Sequence, residues 1–162
     1  MADHLFSFRV LSPLGTAFDG MAKSATLPTP DGEITILAHH MPLVAVLTDG
    51  EVRVDTGQKV VFIAVAGGFL ETGRAAAAIA GDVSTAPRGA PAGRAWEATV
   101  LSDFAAEADS IEVARVEAAR ARAEQLLSEK KERGELLLVE RDLQRSILQL
   151  KVAEKNRKRR HQ

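Results

Sequence analysis

The stretch that decides the fold is Val60-Val61-Phe62-Ile63-Ala64-Val65-Ala66-Gly67-Gly68-Phe69-Leu70-Glu71. Val60–Ala66 is apolar at every position, which reads as a strand buried between layers. Gly67-Gly68 ends the run and marks a bulge or a close approach of two backbones. The apolar stretch from Val60 to Leu70 is the longest in the chain. It falls well short of the roughly 20 residues that a membrane-spanning helix needs.

Upstream of this run the pattern is of short strands punctuated by turns. In His4–Leu11, Leu5, Ser7, Arg9 and Leu11 fall on one face and Phe6, Phe8 and Val10 on the other, the period-2 signature of a strand. Turn signals follow at Pro13-Leu14-Gly15, Asp19-Gly20, Pro30-Asp31-Gly32, Asp49-Gly50 and Thr56-Gly57. Between them lie strand candidates at Lys23–Leu27, Glu33–Leu37, Leu43–Leu47 and Glu51–Asp55. Many short strands at close spacing predict an all-β sandwich or barrel. Downstream, Ala75–Ala80 reads as a weak strand or a helical turn, and Pro87, Gly89, Pro91 and Gly93 break regular structure. Trp96–Leu101 reads as a returning strand.

Beyond Ser110 the period changes to that of a helix. Asp109-Ser110-Ile111-Glu112 has the form of a capping box, an N-cap acceptor with Glu at the third helical position. Ile111, Ala114, Ala118 and Ala121 make one stripe, and Arg133-Gly134 reads as a helix stop. Leu136, Val139, Leu143, Ile147 and Leu150 then recur at three and four, an amphipathic face. The expected architecture is an all-β sandwich N-terminal domain over residues 1–103, with an atypical loop insertion near 73–95. An antiparallel two-helix hairpin with a basic tail follows over 104–162. With one apolar stripe per helix and little bulk on the first, the hairpin needs a surface to pack on.

Composition narrows the chemistry. The chain of 162 residues has 46% apolar and 27% charged residues, a net charge of −1 and no Cys. Thiolate chemistry and disulfides are excluded together, and a reducing compartment fits. The beginning, MADHLFSFRV, has acidic Asp3 and no basic region ahead of an apolar one, so it does not read as a secretory signal. There is no phosphate loop, nucleophile elbow or H-E-x-x-H pair. His39 and His40 are adjacent, and neighbours on an extended chain point to opposite sides, which disfavours a shared metal. Glu117–Arg120 and Glu129–Arg133 read as surface helix pairs. The run Lys151, Lys155, Arg157, Lys158, Arg159 and Arg160 reads either as a solvated helix end or as a grip on an acidic partner. No aromatic residues interleave it to stack bases.

Three stretches in register resemble the epsilon subunit of F-type ATP synthases. Pro30-Asp31-Gly32-Glu33-Ile34-Thr35-Ile36-Leu37 is similar to the family's G-E-[LI]-x-I segment. His40-Met41-Pro42-Leu43-Val44, running on to Gly50-Glu51-Val52-Arg53-Val54, is similar to its H-x-P-L and G-x-[ILV]-R-[ILV]. Phe62 to Glu71 is similar to its [FY]-[IL]-[AY]-[VL]-[SA]-G-G-[FI]-[LV]-E. The likeness covers residues 4–72 and resumes near Trp96.

The resemblance implies a ten-stranded sandwich followed by a helical hairpin, in a non-catalytic rotor subunit. It implies the gamma subunit and the membrane c-subunit ring as partners of the sandwich, with Glu33 and His40 at family positions near that contact. It implies that the hairpin regulates ATP hydrolysis by reaching the catalytic alpha and beta subunits, with Lys151–Arg160 meeting acidic loops. The place implied is the cytoplasmic face of a bacterial plasma membrane, held there only through the complex, in proton-driven ATP synthesis.

No cofactor is required, but some family members bind regulatory ATP through I-D-x-x-R-A. Here Ile111, Glu112 and Arg115 align with that motif, with Arg122 and Arg145 on further family arginines. The departures weaken such a site: Glu112 replaces Asp, Val116 replaces Ala, and Ala106 and Gln149 stand where a carboxylate and an arginine would be. About twenty residues near 73–95 exceed the family's usual short turn, a length uncommon in compact domains. Two competing classes are a small nucleic-acid-binding sandwich with a basic tail, marked by steep salt dependence, and a free-standing nucleotide sensor. The three motifs in register argue against both.

Overall fold

The computed structural model describes residues 5–74, 96–111, 116–121 and 133–160, with side chains from 139 to 159 in the last stretch. The readings placed on Glu112, Ala114, Arg115, Arg122 and the greater part of the 73–95 insertion lie outside the described residues. The chain divides into two compact units, Met1–Glu107 and Ala108–Gln162.

The first unit is a sandwich of two five-stranded sheets. Its strands are β1 (Phe6–Ser12), β2 (Gly15–Ala22), β3 (Ser24–Thr29), β4 (Gly32–Leu37), β5 (Leu43–Leu47), β6 (Gly50–Asp55), β7 (Val60–Val65), β8 (Gly68–Arg74), β9 (Trp96–Leu101) and β10 (Ala105–Glu107). One sheet runs β2-β1-β9-β8-β5 and the other β10-β7-β6-β3-β4. All pairs are antiparallel except β1 with β9, which run parallel from Ser7↔Glu97 to Leu11↔Leu101.

Alternation explains the core. Phe6, Phe8 and Val10 from β1 meet Leu70, Ala98 and Val100 of their own sheet, and Ala25, Leu27, Ile36, Val52, Val54, Ile63 and Val65 of the other. The rings of Phe6 and Phe8 meet edge to face at 6.2 Å, a favourable aromatic geometry. The Val60–Ala66 run supplies Val61, Ile63 and Val65 to the core, whereas Val60 stands exposed at its start.

One turn reading needs correction. Asp19-Gly20 lies inside β2, where Asp19 pairs with Arg9 and Gly20 with Phe8. β2 is a sheet edge, and an edge tolerates a Gly whose outer backbone has no ladder to sustain. The count of residues is absorbed instead by a bulge between Val10 and Leu11. The Pro30-Asp31-Gly32 turn is real: Gly32 has φ +124°, which suits a residue without Cβ, and Thr29 Oγ1 donates to its carbonyl at 2.7 Å.

β10 carries no periodic signal of its own. It is fixed by Ser102, nearly buried, whose Oγ lies 2.7 Å from the Phe104 carbonyl and 3.1 Å from that of Ala66. Ala66 N–H donates to the Phe104 carbonyl at 3.0 Å, and Ala105–Glu107 then pairs with β7.

The second unit opens with a 3-10 turn at Ala108–Ser110. Residues 116–121 are helical and form the described part of α1; α2 spans Arg133–Arg160. Gly134 therefore sits in the first turn of α2 rather than after a helix end. The first turn leaves its N–H groups without intrahelical partners, so a Gly there interrupts nothing. The expected alanine stripe also shifts: Ala118 and Ala121 are exposed, and Val116 is buried among the described residues 116–121. Among the described side chains of α2 the buried ones are Ser146, Val152 and Ala153, while Ile147 is exposed.

Candidate partner-binding surface

The outer face of the β2-β1-β9-β8-β5 sheet carries an unbroken apolar row. Val46 on β5 pairs with Phe69 on β8, Phe69 with Leu101 on β9, and Leu101 with Leu11 on β1. Because all four point away from the core, the row crosses four neighbouring strands on the solvent side. Val46, Phe69 and Leu101 are 54%, 56% and 54% exposed. Val44, next on the same face of β5, is 70% exposed. A shallow cleft of about 360 Å³ lies along the row, lined by Leu11, Pro13, Gly68, Phe69, Leu101 and Ser102 among others. Scattered exposed apolar residues are ordinary, but contiguous ones mark contact surfaces.

The row ends in a polar one. The next register is Val44↔Glu71↔Thr99↔Arg9. There Arg9 Nη2 donates to Glu97 Oε2 at 3.1 Å, an ion pair about one third exposed on Arg9 and one quarter on Glu97. An apolar strip bordered by a fixed ion pair has the arrangement of an interface core with a polar rim.

Backbone geometry makes this face possible. Gly68 has φ +120°, and a Cβ there would strike the Leu101 carbonyl and Ser102 Cα. This is the close approach foreshadowed by Gly67-Gly68. It lets β8 press against the end of β9, so that Phe69 and Leu101 share one register position.

The residues singled out from sequence are spread over the molecule. Glu33 is exposed near the start of β4, and His40 is half-buried in the loop beyond its end. With about 3.3 Å of rise per strand residue, the two stand at opposite ends of β4. His40 N–H donates to the Leu37 carbonyl at 3.1 Å, and its Nδ1 lies 3.1 Å from the Met41 carbonyl. Its neighbour His39 has φ +66° and meets the Trp96 ring edge-on at 5.9 Å. Among the described residues, no three His, Asp or Glu gather as a metal site.

In the helical unit, Lys151, Lys155, Arg157, Lys158 and Arg159 are exposed on α2, which remains helical to Arg160. A groove of about 430 Å³ runs between Glu117, Arg120 and Ala121 of α1 and Ile147, Leu150, Lys151 and Glu154 of α2. Early α1 residues thus face late α2 residues, as an antiparallel hairpin requires. Of the residues aligned with an ATP contact, Ile111 and Arg145 are half-buried, and neither lines this groove. Val116 is buried. Among the described residues, no helix is long and apolar enough to cross a membrane.

The apolar row was not legible from helical or strand period alone. The signal was available in Leu43–Leu47, apolar on both faces although it forms a sheet edge, and in Phe69 alternating with core Leu70.

Comparison with known proteins shows the family. Residues 5–85 match the family described as ATP synthase, Delta/Epsilon chain, beta-sandwich domain. The chain is 33% identical to the ATP synthase epsilon chain of Syntrophobacter fumaroxidans over 90% of its own length and 93% of that chain. It is 34% identical to that of Lactobacillus delbrueckii subsp. bulgaricus, over 86% and 84%. A chain in the Euglena gracilis mitochondrial ATP synthase (OSCP, F1 and c-ring) shares the fold, with a TM-score of 0.52 at 16% identity over 93% of this chain and 78% of that one.

Proposed function

This chain belongs to the ATP synthase epsilon-chain family, and from that premise we propose how its two units divide the work of a non-catalytic central-stalk subunit. The sandwich holds the rotor together: its apolar row takes the foot of the gamma subunit, and the subunit rests on the ring of membrane c subunits, with Glu33 and His40 at the margins of these contacts. The observation that carries this reading is the four-strand row Val46-Phe69-Leu101-Leu11, in register, with Val46, Phe69 and Leu101 exposed and Leu11 half-buried. An apolar row of this kind is stable in water only at a cost that a permanent partner removes.

The helical unit is the regulatory arm. In its extended form the exposed cations of α2 engage acidic loops of the catalytic subunits and oppose hydrolysis. In its closed form the enzyme runs freely. Two such states need differ by only a few kcal/mol for a partner or the proton-motive force to bias them. The complex sits at a membrane, on the cytoplasmic face in a bacterium, and the chain reaches it only through its partners. Buried Val116 occupies a position that favours a smaller residue, which weakens any regulatory ATP site on the arm.

The test is ATP hydrolysis by the reconstituted catalytic head and gamma subunit, with the full chain and with one ending at Glu107. That end point preserves β10 and its pairing with β7. Both chains should bind, and only the full chain should lower the rate. Equal rates with both bound would remove the regulatory role of the arm.

A further inference from the structure

Among the described residues, a long-range side-chain link closes the open end of the helical unit. Asn156 Nδ2 donates to Asp109 Oδ1 at 2.6 Å, across 47 positions of sequence. Asp109 belongs to the 3-10 turn that leads into the helices, and Asn156 to the last turns of α2. Among the described residues, the apolar side chains buried beside it in sequence are Ala108 in the turn and Val152 and Ala153 on α2. The carboxylate read from sequence as a helix cap is thus engaged with the far end of the hairpin.

We propose that Asp109 and Asn156 form the latch that holds the arm closed, a device that rests on the reading of the helical unit as a movable arm. Closure places the link in the same turns that carry Lys155, Arg157, Lys158 and Arg159, so the basic run cannot travel to an acidic partner while the pair is made. If the two helices were laid end to end, 47 residues at about 1.5 Å each would separate the pair by roughly 70 Å. A charge-assisted hydrogen bond open to solvent suits a latch. It contributes enough to set the balance and too little to make closure irreversible.

The chain has no Cys, so spin labels or fluorophores placed at Ser110→Cys and Lys158→Cys report the distance across the hairpin mouth without competing sites. In the full-length chain free in solution a short distance should dominate. Asp109→Ala and Asn156→Ala should each lower the closed-to-open ratio by about fivefold, the equivalent of roughly 1 kcal/mol for one hydrogen bond. The exchange of the pair, Asp109→Asn with Asn156→Asp, should restore most of it. Unchanged ratios in both single variants, or a long distance already dominant in the parent, would overturn the latch. Neither result bears on inhibition of hydrolysis, which the Glu107 truncation tests separately.

Discussion

Phe69 and Leu101 face each other across the β8–β9 ladder with both side chains more than half exposed. The same ladder buries Leu70 and Val100 completely one position away. Two adjacent pairs of one ladder are therefore apolar in different settings: one fills the core and the other faces solvent. A sheet face that had only to be wetted would carry polar residues at the outer pair.

Gly68 should be intolerant of any side chain. Its φ is +120°, and a Cβ would overlap the backbone of Leu101 and Ser102, which cannot move aside without breaking the β8–β9 end. Gly68→Ala should destabilise the chain by about 2–4 kcal/mol, from backbone strain and the clash together. Thermal unfolding followed by circular dichroism would show the lowered midpoint.

Phe8 is fully buried between the sheets, its ring centroid 6.2 Å from that of Phe6 and 6.0 Å from that of Phe18. Phe8→Ala should cost about 3–5 kcal/mol through lost transfer energy and the cavity left behind. Urea unfolding should show a lower midpoint with an unchanged slope.

The Arg9–Glu97 pair should contribute little to stability. Both side chains are partly open to solvent, so a double-mutant cycle of Arg9→Met and Glu97→Gln should give a coupling of about 0.5–1 kcal/mol, reduced by salt. A larger effect of either change on gamma binding than on stability would place the pair in the rim of the interface.

The exposed cations of α2 should act through charge. Replacing Arg157 and Lys158 together with Ala should weaken the inhibition of hydrolysis several-fold and flatten its dependence on ionic strength, since exposed charges act within about a Debye length. Hydrolysis rates at two salt concentrations, for parent and variant, measure both.

Much of this was written in the sequence. Alternation in Phe6–Val10 and the all-apolar Val61–Val65 set the core, and the Pro30-Asp31-Gly32 turn sits between β3 and β4 as its chemistry demands. What the sequence concealed was decided by long-range pairing. β2 runs through Asp19-Gly20 because β1 offers it a ladder, and β10 exists because Ser102 and Ala66 hold the chain beside β7. The apolar row was hidden for a similar reason: Val46, Phe69, Leu101 and Leu11 are far apart in the chain, and only strand order brings them into one line. In the helices the apolar period was visible, but the buried face includes Ser146 and Val116, and the partner of Asp109 lies 47 residues away.

The most direct measurement is the affinity of the full-length chain for the isolated gamma subunit, by calorimetry, with Phe69→Glu beside the parent. Phe69 is solvent-facing, so the variant should fold with a stability change within about 1 kcal/mol. A charge at the centre of an apolar contact should weaken binding by about 30-fold or more, the effect of losing a central anchor. Equal affinities for parent and variant, with both folded, would contradict the assignment of this face to gamma.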